Sequence, residues 1–432
     1  MPMKTHRINP RNQFLLILIA LLSLGINNTV LAQEKSTDYI QFKGKVFNSL
    51  NNDALVSVIV SLEETNISTI TNVDGHFLLK VPAHLQSNNV SFTLLGFQKK
   101  VIGLNELKKE NAEIELTPSV IELSEVDIEI PKDAKQLVRE TLKRKGENNV
   151  NDHLLMTAFY RETIKKRKKN VSIAEAVVNV YKKPYSSYQK DDVKLYKSRK
   201  STDYKKLDTI AVKLQGGPFN PLYGDLMKYP EYIFTEELIE DYTFNFDQST
   251  IINGQLVYVV NFKGIASVDE PRYYGKLFID SSTRALVSAA YNLNVDNKEK
   301  ASSLFVRRRP NNIHVYPTEA AYKVDYREKD GKWYYGYSNV LLTFKVNDRK
   351  KVFNSVYTLN SEMAVTDWEK NDTGEFVKPK ERMRPSVVIS DEASGFSDPE
   401  FWGAHNVIEP EKSIETAISK IKKRLDKVNS RS

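Results

Sequence analysis

The sequence predicts a mainly β protein, with a small N-terminal seven-stranded β-sandwich followed by a larger antiparallel β-sheet domain that carries a few packing helices. Three observations predict it. Between Tyr39 and Thr117 apolar residues come in short runs divided by turn dipeptides, and beyond residue 148 the runs lengthen and are joined by Asn-Gly and Asp-Gly. In addition, 22 Tyr and 19 Phe outnumber 17 Gly and 16 Pro, a balance that favours paired strands over loops. With 41% hydrophobic and 10% aromatic residues, a chain of 432 residues can bury more than one core.

Residues 1–32 read as an export signal. Lys4, Arg7 and Arg11 form a basic start, Phe14 to Leu24 an apolar centre, and Val30-Leu31-Ala32 a small-residue cleavage site before Gln33. The apolar centre is about 11 residues long, against the roughly 20 that a spanning helix needs. Removing this segment, which holds three basic and no acidic residues, lowers the net charge from +8 to +5. The chain has no Cys, which excludes disulfides, thiolate metal sites, a cysteine nucleophile and a lipid-acylated cysteine. The expected location is the periplasm or the outer-membrane periphery, with the mature protein soluble after cleavage.

Seven strands are expected over 39–117: Phe42 to Phe47, Leu55 to Leu62, Ser68 to Thr71, His76 to Val81, Val90 to Leu95, Phe97 to Ile102 and Ala112 to Leu116. Val56, Val58, Val60 and Leu62 alternate with Ser57, Ile59 and Ser61 to give one aliphatic face. Asp74-Gly75 supplies the positive φ of a tight hairpin, and Gly44 lets two backbones approach closely.

The succession Gly44-Lys45-Val46, Asn52 to Val58, Ser68 to Thr71, Asp74-Gly75-His76-Phe77 and Leu94-Leu95-Gly96-Phe97 resembles the carboxypeptidase-regulatory-like domain, a prealbumin-like sandwich. The resemblance implies an accessory module of bacterial envelope proteins of Bacteroidetes type, often placed directly behind a signal peptide, and implies no catalysis. Roughly 315 residues follow it, too few for a plug and the 22 strands of an outer-membrane transporter. A stand-alone envelope protein is therefore expected.

A connecting strand and helix occupy 118–147. Leu123 to Ile130 alternates, and Ala134, Leu137, Val138 and Leu142 then fall at helical spacing behind Asp133 as N-cap, with Gly146 after the last turn. The larger domain spans 148–408. It opens with the runs Leu154 to Glu162, Val171 to Tyr181 and Val193 to Arg199, and is then interrupted by Gln215 to Asp225 (QGGPFNPLYGD), which reads as a long loop. Tyr242 to Met363 reads as a meander, with hairpins at Asn253-Gly254 and Asp330-Gly331 and a turn at Asp280 to Thr283. Glu375 to Pro399, charged and broken by Pro379 and Pro385, reads as a surface excursion. A C-terminal amphipathic helix is expected over 409–429, with Pro410 at its first turn and Ile414, Ala417, Ile418, Ile421, Leu425 and Val428 on one face.

Two further resemblances lie in this part of the chain. Gly275 to Asp280 followed by Ala285-Leu286-Val287 resembles the strand-turn-strand of periplasmic lipoprotein-carrier half-barrels. Ala158 to Thr163, Glu175 to Val178, and Phe401-Trp402-Gly403 to Ile408-Glu409-Pro410 resemble the body of envelope proteins that carry the regulatory-like domain without a barrel.

No catalytic spacing is found. The six His (6, 76, 84, 153, 314 and 405) show no H-x-x-E, H-E-x-x-H or H-x-H pattern. Nucleophile-elbow and phosphate-loop spacings are absent, and Asp74-Gly75 alone lacks the oxygen ligands of a calcium loop. No catalytic residue, cofactor or metal ligand is assigned, and the protein is expected not to be an enzyme. The candidate binding surface is Lys165, Lys166 and Arg167 with Tyr181, Tyr185 and His405, directed at an envelope protein or at a lipid or glycan ligand, with peripheral outer-membrane contact through basic residues. Export excludes nucleic acid as a partner. The expected role is a docking sandwich joined to a sheet that binds a partner or an apolar ligand. A lipid or lipoprotein carrier is the alternative, and a hydrolase with an unrecognised site the third.

Overall fold

A computed structural model describes residues 39–119, 133–202, 215–266, 269–306, 311–350, 354–393, 401–412 and 414. The export signal, the connecting strand at 123–130 and all but the start of the C-terminal helix lie outside the described residues.

Seven strands build the sandwich, in two sheets. β1 (Tyr39–Asn48) lies between β4 (His76–Pro82) and β7 (Ala112–Leu116), and β2 (Ile59–Leu62) lies between β3 (Ser68–Ile70) and β5 (Asn89–Thr93), with β6 (Lys100–Gly103) outermost. Phe42, Val46, Val58, Val60, Leu62, Phe77, Leu79, Val90, Phe92 and Ile114 fill the space between them. Gly44 stands opposite both Phe77 and Ala112, where a Cβ would come within 2.4 Å of the Ala112 carbonyl oxygen. This close approach is the role its sequence position suggested.

Two local expectations need correction. The strand expected from Leu55 begins only at Ile59, because Ser57 adopts φ +59° and turns the chain, leaving Val56 44% exposed. Asp74-Gly75 makes a corner and not a hairpin: Gly75 has φ +77°, but β3 hydrogen-bonds to β2 while β4 pairs with β1 in the other sheet.

The larger domain is one ten-stranded antiparallel sheet. β11 (Tyr242–Ile252), β12 (Gln255–Gly264), β13 (Tyr273–Asp280), β14 (Leu286–Leu293), β15 (Ile313–Lys329), β16 (Lys332–Asp348) and β17 (Ser355–Lys370) follow one another as a meander. β8 (Leu154–Lys166), β9 (Lys169–Lys182) and β10 (Asp192–Thr202) extend the β17 side, and the two edge strands, β10 and β11, are not paired to each other. Asn253-Gly254 (φ +51°, +79°) and Asp330-Gly331 (φ +52°, +71°) close tight hairpins in which both central residues need positive φ. The helix α1 (Ala134–Lys143) is capped by the Asp133 side chain, which accepts from the Lys135 and Gln136 amides; a second helix, α2 (Lys298–Phe305), lies against β15.

Each face of the sheet has its own cover. On one face, Met156, Ala158, Tyr160, Ala174, Ala176 and Val178 pack with Leu137 and Val138 of α1 and with Phe219, Leu222, Leu226, Met227, Ile233 and Phe234. The segment expected as a long loop is therefore the buried filling of the sheet. Its Pro and Gly residues bend the chain into a single helical turn, Phe219–Leu222, that turns apolar side chains inward. On the opposite face, Phe159, Val177, Tyr337 and Ala364 meet Ile70 and Leu78 of the sandwich together with Trp402, Val407 and Ile408. Residues 375–393 do run along the surface, but Val377 and Ile389 are buried anchors, and the Met383 and Val193 backbones bond at 2.8 Å.

Candidate functional site

Burying a charge without a partner is costly, so buried ionisable groups mark where the chain has invested stability for shape or for chemistry. The described residues hold two such networks, one on each face of the sheet.

The first lies under the filling segment. Lys182, at the end of β9, is fully buried and donates to Asp191 at 2.9 Å and Asp225 at 2.6 Å, both also fully buried. Tyr185 and Tyr326 donate to Asp225 at 2.9 and 2.8 Å, and Tyr229 donates to Asp191 at 2.8 Å. The Lys183 amide donates to Asp191 and the Lys228 amide to Asp225, completing the donors around the two carboxylates. Burial opposes the Lys182 charge, but Asp191 and Asp225 outweigh it and hold its pKa above the ordinary lysine value. Tyr185, Tyr229 and Tyr326 are pushed up by burial and by the same carboxylates, so they stay protonated donors. Beside them the Lys228 amine donates to the Pro184 and Ser187 carbonyls, both at 2.7 Å, and burial lowers its pKa to about 8.

The second network faces the sandwich. Arg199, Glu175, Arg161 and Glu362 are register neighbours on β10, β9, β8 and β17, giving a row of alternating charge across four strands. Arg161 donates to Glu175 at 2.7 Å and to the Ile408 carbonyl at 2.6 Å, and Arg199 donates to Glu175 at 2.8 Å. Burial alone would raise the Glu175 pKa, but the two guanidinium groups lower it. The Arg199 guanidinium also lies 4.8 Å from the Trp402 ring, which meets Phe159 edge-on. The three segments quoted above for the barrel-less envelope body thus meet here, at Arg161, Glu175 and Trp402.

This junction fixes the sandwich to the sheet. Thr69 donates to the Val407 carbonyl at 3.0 Å, Asn406 exchanges two hydrogen bonds with the Lys80 backbone, and Arg327 reaches Ser68 and the Val365 carbonyl. One further acid, Glu162, is buried on the filled face and accepts from Tyr160 at 2.7 Å, with Ser361 behind Tyr160 at 3.3 Å. Burial pushes its pKa up to about 7.

The six residues expected to share a binding surface are not brought together. Lys165, Lys166 and Arg167 sit at the β8–β9 turn, where Lys165 pairs with Glu411 at 3.1 Å. Tyr181 lies at the other end of a 14-residue strand, roughly 40 Å away at strand rise. Tyr181 and Tyr185 are not surface residues at all: the first is 4% exposed, and the second is fully buried on Asp225. Their spacing in sequence resembles a surface pattern because a buried tyrosine needs only one acceptor, and that acceptor is 40 positions away for Tyr185 and 194 for Tyr181. His405 is in the C-terminal segment, its ring 4.8 Å from Tyr196. Sequence reasoning missed Lys182 and Asp225, for which the one available signal was a lysine closing an apolar run, and it takes the Asp191-Asp192 pair for a solvated loop, whereas the Asp191 side chain is fully buried on Lys182. Among the described residues no three His, Asp or Glu side chains are grouped so as to hold a metal ion, and no helix is long and apolar enough to cross a membrane.

These features define a mainly β protein in which a seven-stranded sandwich is fastened to an open ten-stranded sheet. Residues 42–128 match the family model of the CarboxypepD_reg-like domain. Among solved structures, the chain is similar to a domain from Vibrio parahaemolyticus described as an outer membrane lipoprotein-sorting protein, at 12% identity over 56% of this chain and 94% of that one, with a TM-score of 0.24. It is also similar to a DUF1329 family protein from Desulfovibrio piger, at 13% identity over 57% and 96%, with a TM-score of 0.23. A search of curated proteins matches none.

Proposed function

We propose that the chain is a non-catalytic binding protein of the bacterial cell envelope, exported by residues 1–32, in which sandwich and sheet act as one rigid body. The observation that carries this reading is how the buried charges are used. Lys182 is held between two carboxylates, and Arg161 between Glu175, Glu362 and a backbone carbonyl. Groups paired in this way brace the filling segment and the C-terminal segment and are not poised for proton transfer. The test is turnover on ester, peptide and glycoside chromogenic panels, for wild type, Glu162→Gln and Asp225→Asn. No turnover that depends on either residue is expected; an activity abolished by Glu162→Gln overturns the reading in favour of a hydrolase.

A second reading, a lipid or lipoprotein carrier, is favoured by one feature. Phe234 of the filling segment and Tyr242, Phe244, Phe262, Tyr291, Tyr273 and Tyr322 of β11–β15 form a continuous run of ring contacts, with Phe244, Tyr273 and Tyr322 only partly covered. Native mass spectrometry of protein from an envelope fraction tests it. A co-purifying acyl chain lost in Tyr322→Asp supports a carrier, and its absence together with failure to bind a fluorescent fatty acid refutes one.

A further inference from the structure

We infer that the end of the sheet beyond Lys182 carries a binding site for an acidic oligosaccharide, built from Tyr188, Tyr223 and Tyr232 with Lys145 and Lys190. Three pieces of chain meet there: the turn at Lys145–Asn148, residues 183–191, and residues 223–232. Tyr188 is 97% exposed and Tyr232 43% exposed. The Tyr223 and Tyr232 rings are 5.5 Å apart and tilted by 39°, with the buried Tyr229 ring 5.1 Å beneath Tyr223. The Lys145 amine lies 5.7 Å from the Tyr188 ring and that of Lys190 lies 5.9 Å from Tyr223.

The 183–191 segment is exposed at its tip yet tied down at both ends. Lys228 holds the Pro184 and Ser187 carbonyls from below. Asp191, at the other end, is gripped by Lys182, Tyr229 and the Lys183 amide. Tyr188 is thus displayed on a braced loop, and a rigid tyrosine offers contact area at low entropic cost. The Tyr188 ring, 97% exposed, leaves both its faces open to a ligand.

The ligand's chemistry follows from the groups available. Flat amphipathic rings with hydroxyl tips suit the apolar face and hydroxyl edge of a sugar ring. Among the described residues neither Lys145 nor Lys190 forms an ion pair; Lys190 is exposed and its ammonium is open to a carboxylate, while Lys145 is half-buried and that burial lowers its pKa. Glu231 acts electrostatically on both Lys145 and Tyr232. A carboxylate at that place accepts hydrogen bonds from sugar hydroxyls, while the ammonium groups pair with the acid groups of the sugar chain.

The proposal does not require the carrier reading and is tested apart from it, by isothermal titration of the full chain with polygalacturonate oligosaccharides, neutral malto-oligosaccharides and a single-stranded oligonucleotide. Wild type is expected to bind the acidic sugar at least tenfold more tightly than the neutral one. Tyr188→Ala and Lys190→Ala, both exposed and with unchanged melting temperature, are each expected to weaken binding at least fivefold. Binding unchanged in both variants, no binding of the acidic sugar at millimolar concentration, or equal binding of the oligonucleotide would each overturn it.

Discussion

Replacing Lys182 by Met keeps the length of the side chain and removes its charge, leaving Asp191 and Asp225 as buried carboxylates without a cation between them. Both lie at 0% side-chain exposure, at 2.9 and 2.6 Å from the lost ammonium. Breaking one partner out of a buried ion pair costs about 3 to 5 kcal/mol, because the uncompensated charge stays in a poorly solvated place. The ammonium also sits 4.9 Å from the Tyr185 ring and 5.5 Å from Tyr335, contacts that the thioether retains only in part. Lys182→Met should therefore lose about 4 kcal/mol in guanidinium unfolding at pH 7, followed by fluorescence of the three Trp residues. The triple variant Lys182→Met/Asp191→Asn/Asp225→Asn removes the stranded charges while the amide oxygens still accept from Tyr185, Tyr229 and Tyr326. It should recover about half of that loss. A single-variant loss below about 1 kcal/mol, or a triple variant no more stable than the single, would refute the view that this network pins the filling segment.

Glu162 predicts a pH dependence. Its folded pKa of about 7 lies above the ordinary 4.5, so the fold prefers the protonated acid, and this contribution is complete below about pH 4.5 and lost as pH rises through 7. The full loss is about 3 kcal/mol, and Glu162→Gln should flatten the melting temperature between pH 5 and 8; an unchanged slope contradicts it. Arg161→Met strands Glu362 and frees the Ile408 carbonyl. Hydrogen exchange should accelerate in residues 401–408 while the β11–β12 hairpin stays protected, and uniform acceleration would argue against a local clamp. Gly44→Ala places a Cβ 2.4 Å from the Ala112 oxygen and 2.7 Å from the Phe77 ring, whereas Gly331→Ala meets nothing within 4 Å and strains only φ. The first should cost about 2 to 3 kcal/mol and the second about 1, by thermal unfolding; equal costs would show that the close approach is relieved elsewhere.

Much of the architecture follows from local rules. The seven sandwich strands, the Asp133 cap, and the hairpins at Asn253-Gly254 and Asp330-Gly331 depend on residues a few positions apart, so periodicity and turn chemistry suffice to read them. The charge networks depend on register. Glu175 and Arg161 are 14 positions apart, and Glu362 and Arg161 are 201 apart; only strand pairing makes them neighbours. QGGPFNPLYGD reads as a loop because Gly and Pro break local structure, and no local rule records that Phe219, Leu222 and Asp225 turn inward against a sheet assembled from strands on both sides of it.

The sequence by itself determined most of the strands, the tight hairpins at Asn253-Gly254 and Asp330-Gly331, that the regulatory-like sandwich precedes the large sheet, and that no cysteine contributes to the fold. The tertiary structure decided which tyrosines are buried on Asp225 and which is displayed at 97% exposure, which charges neutralise one another, and what fills the sheet. The physical reason is range. Turns and alternation are fixed by steric and hydrogen-bonding preferences acting over a few residues, whereas burial and pairing are fixed by the desolvation of groups that the chain brings together only when it is folded.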